Sequence, residues 1–244
     1  MMMPLALVAK EQYSEADAYP GDNSGGLLSV EPASQTVPSG DFSLQPASQS
    51  GVSDMLDGFV SAILGKRVSF DYSYTLSAST GSKITGSGHV VFQGDSFMQE
   101  GNGLETYCDG RSRWTLDRSA KEAISESVDS SSPDYLSYPT FILRDIDKVF
   151  APDGGQSVSE KKISGQDAVS LKLRPAVPMG KISSALLYFA KGTYRPVALD
   201  LYLEDGSVLK LSVSGYEVSS PVEDNMFSLD AGSLGDEYVI TDLR

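Results

Sequence analysis

The apolar positions of this chain change period three times, and each change marks a change of element. Met55, Leu56, Phe59, Val60, Ile63 and Leu64 recur at steps of three and four, which predicts a helix with one apolar face. Ser53 or Asp54 is placed to cap it, Asp57 sits in its first turn, and Gly65 is suited to end it. From Val68 the period is two. Val68, Phe70, Tyr72, Tyr74 and Leu76 alternate with Ser69, Asp71, Ser73 and Thr75, the pattern of a long strand with one buried face.

Gly81-Ser82 and Gly94-Asp95 read as turns on either side of a strand from about Lys83 to Phe92, where Gly86 and Gly88 suggest a bulge or bend. Short strands then follow at Ser96 to Gln99, Leu104 to Cys108, Arg113 to Leu116 and Glu122 to Val128. Asp109-Gly110, between two alternating segments, predicts a hairpin. From Ser130 to Pro152 the pattern returns to helical: Thr140 is a candidate cap, and Ile142, Ile146, Val149 and Phe150 make a short apolar stripe that Pro152 stops. Period two then resumes at Lys161 to Ser164, Ala168 to Arg174, Ile182 to Phe189, Pro196 to Glu204 and Val208 to Val218, with Asp205-Gly206 as a second hairpin turn.

This order predicts a mainly β, α+β fold: an antiparallel half-open β-barrel whose N-terminal and inserted helices cover its open face. An antiparallel sheet of this size curls to shield its edge strands. One strand parity would line the concave face, with Phe70, Tyr72, Phe92, Leu199 and Leu201 among the lining residues. The helix face of Leu56, Phe59, Val60 and Ile63 and the stripe of Ile142, Ile146 and Phe150 would form either a movable lid or ordinary helix-on-sheet packing. Trp114, the chain's one tryptophan, either lines the same cavity or plugs the core.

Charge divides the chain. Of 244 residues, 33 are acidic and 19 basic, a net −14, and no Lys or Arg lies between Glu11 and Gly65. Residues 1–52 read as an apolar N-terminus followed by an acidic leader rich in Ser, Pro and Gly, either a flexible tether or a partly ordered arm packed on the domain through Leu27, Leu28, Val30, Phe42 and Leu44, and residues 53–244 as the folded domain. The first nine residues resemble the apolar region of a secretion signal without its basic start, so an incomplete signal and an incidental apolar terminus both stand. Nucleic acid is disfavoured as a partner because no basic cluster is present to meet phosphates.

Chemistry is sparse. The single Cys108 excludes an internal disulfide, and the single His89 excludes multi-histidine zinc sites. A Cys108–His89 nucleophile and base pair would need the fold to join them. Asp145 and Asp147 lack the further oxygen ligands of a calcium loop. No catalytic residue, metal site or cofactor is assigned, and the pattern points to binding rather than catalysis.

From about Leu56 to the C-terminus the chain resembles the LolA-like outer-membrane lipoprotein carriers, as a divergent member. The resemblance rests on the helix leading into the aromatic strand at Leu56 to Leu76, and on Gly88-His89-Val90-Val91-Phe92 followed by Phe97. It continues in the hairpin Asp109-Gly110-Arg111-Ser112-Arg113-Trp114-Thr115-Leu116-Asp117, in Leu171-Lys172-Leu173-Arg174-Pro175, in the Pro196 to Val213 hairpin, and in Phe227 before a last strand at Glu237 to Thr241. Where the best-known carriers have a lid-locking arginine, this chain has Gln93-Gly94-Asp95. The resemblance implies a monomeric periplasmic carrier that holds lipoprotein acyl chains or another lipid in an apolar cavity. It also implies an inner-membrane donor and an outer-membrane acceptor. The alternative is an envelope interaction or lipid-sensing domain on the same fold without transfer activity.

Overall fold

The computed structural model describes residues 49–128, 135–136, 138–153, 159–177, 179 and 181–244. The leader expected over residues 1–52 lies outside the described residues as far as residue 48, and residues 49–52 belong to the first helix. That helix, α1, spans Gln49–Ile63, so Ser53 and Asp54 are interior residues rather than caps. Gly65 follows its end with a φ of 66°.

Two meanders make one sheet. The first runs through β1 (Arg67–Ser77), β2 (Lys83–Gln93), β3 (Ser96–Gly101), β4 (Leu104–Cys108), β5 (Ser112–Asp117) and β6 (Glu122–Ser127). α2 (Phe141–Val149) and the short β7 (Phe150–Pro152) come next, so Phe150 begins a strand instead of ending the helix. The second meander is β8 (Ser159–Ile163), β9 (Gln166–Pro175), β10 (Ile182–Ala190), β11 (Pro196–Leu203) and β12 (Val208–Ser219). β1 pairs antiparallel with β12 and joins the two halves. The spatial order is β13-β6-β5-β4-β3-β2-β1-β12-β11-β10-β9-β7, with β8 on β9. The sheet is open, because its end strands β13 and β7 are not paired with each other. This is the mainly β, half-open architecture expected from the sequence.

β13 (Val239–Asp242) departs from the antiparallel expectation and pairs with β6 in parallel. The chain from Val222 onward reaches that edge along the outer side of the first meander. The Gln93 side chain holds the Val222 backbone by bonds of 2.8 and 2.9 Å, and the 3-10 turn Asp224–Phe227 contacts β3. Val91, Leu116, Ala123 and Phe227 are buried in this half but belong to neither main core cluster.

Gly86 and Gly88 do not mark a bulge. β1 and β2 pair in unbroken register from Arg67↔Gln93 to Ser77↔Lys83. The bulge lies on the other side of β1, between Ser69 and Asp71 against β12, where Gly215 takes a φ of 59°. One extra residue on β12 moves Tyr216 onto the face of Leu211 and Val213. Its ring then stacks on Phe70 at 6.2 Å.

Candidate functional site

Strand register assembles the inner face row by row. Tyr74, Leu211, Leu199, Leu187 and Leu171 lie opposite one another across β1, β12, β11, β10 and β9. The next row is Leu76, Leu209, Leu201, Ala185 and Leu173. In the first meander, Val68 faces Phe92, which faces Phe97, which faces Cys108. Because side chains alternate faces along a strand, these rows form one apolar surface across both meanders.

Both helices close over it. α1 buries Leu56, Phe59 and Ile63, with Val60 packed beside them, and Phe59 meets Phe189 of β10 at 5.4 Å. α2 buries Phe141, Ile142, Ile146 and Val149. At one end Phe141 packs against Phe97 of β3, the tilted rings 4.3 Å apart, and at the other the chain passes into β7, where Phe150 pairs with Pro175 of β9. β3 and β9 are six strand steps apart in the sheet. Six flat steps span about 29 Å, whereas the nine-residue helix is about 13 Å long. Curling of the sheet and the reach of the Phe97 and Phe141 rings make up the difference.

The polar groups that β1 and β12 place on this face are phenols. Tyr72 and Tyr74 stack at 6.5 Å, and Asn102 Nδ2 donates to the Tyr74 hydroxyl at 3.0 Å. Burial, then the neighbouring Tyr74 and Tyr138, push the Tyr72 hydroxyl well above the ordinary phenol range, so it stays neutral. Tyr216 is pushed the same way by burial, and its hydroxyl has no hydrogen-bond partner among the described residues. The hydrocarbon and neutral hydroxyls of β1 and β12 suit an apolar ligand, and the Arg113–Glu126 ion pair at 2.8 Å stands on the same parity at the β5–β6 end of the sheet.

α2 carries a charge cluster centred on the buried Asp145. The Asp145 carboxylate accepts from Arg144 at 3.1 Å and 2.5 Å, from Lys148 at 3.0 Å and from the Tyr135 hydroxyl at 3.3 Å. Burial raises its pKa, but the Arg144 and Lys148 bonds and charges outweigh that and hold it below the ordinary carboxylate range. Helical geometry breaks at this residue, with φ −107° and ψ 16°. Thr140 makes no side-chain cap; its hydroxyl donates to Gln99 Oε1 at 3.0 Å, tying the helix start to β3.

Phe70, Tyr72, Phe92, Leu199 and Leu201 all sit in the core between sheet and helices, as do Ile142, Ile146 and Phe150. Trp114 does not join them. It faces Tyr107 and Ser125, the parity opposite to Cys108 and Arg113, so it lies on the outer face beneath the Arg244 guanidinium at 5.4 Å. The expectation that Trp114 lines the cavity is corrected by this register. Its neighbour Leu116 is buried on the same outer side, so the apolar parity of β5 points away from the helices. Sequence reasoning missed Tyr216, which the unforeseen bulge turns inward, and Phe189, which keeps the inward parity of Ala185 and Leu187.

His89 and Cys108 make no pair. His89 lies on the outer face, its Nδ1 2.8 Å from Asp71 Oδ1, while Cys108 lies on the inner face. Burial pushes the Cys108 thiol up, away from the reactive thiolate.

No family model and no curated protein matches this chain. Among solved structures it is similar to a LolA superfamily protein from Nitrosomonas europaea, at 14% identity over 73% of this chain and 98% of that one, TM-score 0.40. An uncharacterized conserved protein from Thermus thermophilus is similar at 13% identity over 79% and 99%, TM-score 0.48. A putative outer membrane lipoprotein-sorting protein domain from Vibrio parahaemolyticus is similar at 14% identity over 72% and 95%, TM-score 0.40. These likenesses are at low identity, and nothing about activity follows from them.

Proposed function

We propose that the chain is a carrier or binding protein that holds the acyl chains of a lipoprotein or another lipid on the inner face, between the sheet and the two helices. One observation carries the reading: a single strand parity forms an unbroken apolar surface across β9 to β12, β1 and β2, and two amphipathic helices cover it. Among the described residues no helix is long and apolar enough to cross a membrane. We place the protein in the bacterial periplasm, by the sequence resemblance, with non-covalent binding as its whole chemistry.

Phe59, Ile142 and Ile146 now fill the space in which an acyl chain would lie, so loading displaces the helices from the sheet. Burial of a methylene gains about 0.8 kcal/mol. A dozen methylenes therefore supply about 10 kcal/mol against the lost helix packing. Release then needs a partner that favours the open arrangement, because a ligand shifts an equilibrium only by its preference for one state.

The test is a native mass spectrum of protein secreted through a bacterial envelope and purified without detergent, followed by organic extraction. A stoichiometric acylated adduct, lost in folded Phe59→Glu and Leu199→Glu variants, is the expected result. An apo mass unchanged after incubation with lipids and a triacylated peptide defeats the proposal. That outcome favours a protein-interaction domain, a reading the fully buried Phe59, Phe70 and Phe150 side chains support, since they leave the inner face occupied by the chain itself.

A further inference from the structure

The outer face of the sheet holds a groove of about 460 Å³ that the lipid reading does not use. Clefts of about 300–1,000 Å³ accommodate small organic ligands. Three irregularities of the fold border this one. The first is the β12 bulge at Gly215, where a Cβ would stand 2.8 Å from Asp71 Oδ2. The others are the tight β8–β9 turn at Ser164 and the β10–β11 loop that brings in Arg195.

Serine hydroxyls make up one part of the wall, from Ser73, Ser164, Ser212 and Ser214. Ser73 and Ser212 stand opposite each other in the β1–β12 register. Ile163, Pro196 and Val197 supply an apolar flank. In a chain of net charge −14, Arg195 is the one charged residue among those that line this groove, and the Asp71 carboxylate at its edge beside Gly215 is engaged by His89 Nδ1 at 2.8 Å. The Arg195 guanidinium is exposed and donates to a neutral partner, Gln166 Oε1, at 3.3 Å. Its remaining N–H groups form the planar fork that matches an oxyanion.

The geometry points to a second binding site here, for a small hydroxylated anion such as a sugar acid. Arg195 takes the oxyanion, the serines and Gln166 exchange hydrogen bonds with the hydroxyls, and the ring's apolar face rests on Pro196 and Val197. The site is independent of lipid binding, since Ser73, Ser212 and Ser214 lie on the face opposite to Tyr72, Leu211 and Val213.

Amide shifts of the full chain titrated with D-glucuronate, D-glucose and acetate test this. Glucuronate is expected to move the amides of Ser73, Gln166, Arg195, Ser212 and Ser214, and to bind more tightly than either glucose or acetate. Arg195→Gln is expected to weaken it ~10-fold or more, as loss of a charge-assisted bond does, and Ser212→Val is expected to weaken it by narrowing the groove. Both residues are exposed, and lipid loading should be unchanged in both variants. Absence of shifts at these residues up to ~50 mM, far above a millimolar dissociation constant, overturns the site. So does glucuronate binding that Arg195→Gln leaves intact, or acetate binding as tight as glucuronate.

Discussion

The Tyr72 ring lies across Gly88, with its hydroxyl 2.7 Å from where a Cβ on that glycine would stand. Tyr74 stands in the same relation to Gly86, at 2.5 Å. The two strand glycines exist to admit two tyrosines on the inner face, in the manner of aromatic rings that cover glycines in a paired strand.

Alanine should therefore be costly at Gly88 and less so at Gly86. A Cβ at Gly88 also meets the Glu100 backbone carbonyl, which is held in the β2–β3 ladder, whereas at Gly86 it meets only the ends of the Tyr74 and Asn102 side chains. Chemical denaturation should show Gly88→Ala losing about 2–4 kcal/mol and Gly86→Ala about 1 kcal/mol. Equal losses would remove the role assigned to the Glu100 backbone.

Trp114 is the chain's single tryptophan, so its emission reports one place. On the outer face, under Arg244, it should show no quenching by brominated acyl chains bound between sheet and helices. Arg244→Ala should red-shift its emission by uncovering the ring. Strong quenching by the lipid would place the ligand on the wrong face.

Cys108 gives a second single-site probe, beneath α2 and 2% exposed. Its raised thiol pKa and burial predict slow reaction with a disulfide reagent at pH 8 and fast reaction after denaturation. If lipid loading lifts α2 from Phe97, the labelling rate should rise on loading. A rate that stays constant with acyl chain bound would mean that this helix does not move.

Asp145 predicts an acid limit. Its folded pKa lies below the unfolded value of about 3.9, so its stabilisation is complete above that pH and disappears as pH falls through the depressed folded value. Asp145→Ala should cost about 3–5 kcal/mol at neutral pH, because it leaves the largely buried Arg144 charge without its partner. The variant should also lose less stability than the parent between pH 4 and pH 2, measured by urea denaturation. An identical acid profile would remove Asp145 as a source of that limit.

Residue patterning alone determined most of the elements and one buried face. Alternation in Val68 to Leu76 and the steps of three and four in Leu56 to Ile63 state which side of each element avoids water, and β1 and α1 obey them, whereas Val197 to Leu203 alternates in the same way and is buried on both faces. Asp109-Gly110 likewise carries its turn locally: Gly110 takes a φ of 87°, and Asp109 Oδ1 accepts from the Arg111 and Ser112 amides at 2.8 Å. Only the tertiary structure decided which cover each apolar side meets. Trp114 and Leu116 alternate as an inward strand would, yet the returning C-terminal segment gives them an outer cover, so their parity follows the β4–β5 register. The parallel pairing of β13, the bulge that turns Tyr216 inward, and the groove at Arg195 also arise from segments far apart in the chain. Periodicity reports how a residue stands relative to its neighbours along one element, whereas the partner of a face is set by long-range pairing, which no local pattern encodes.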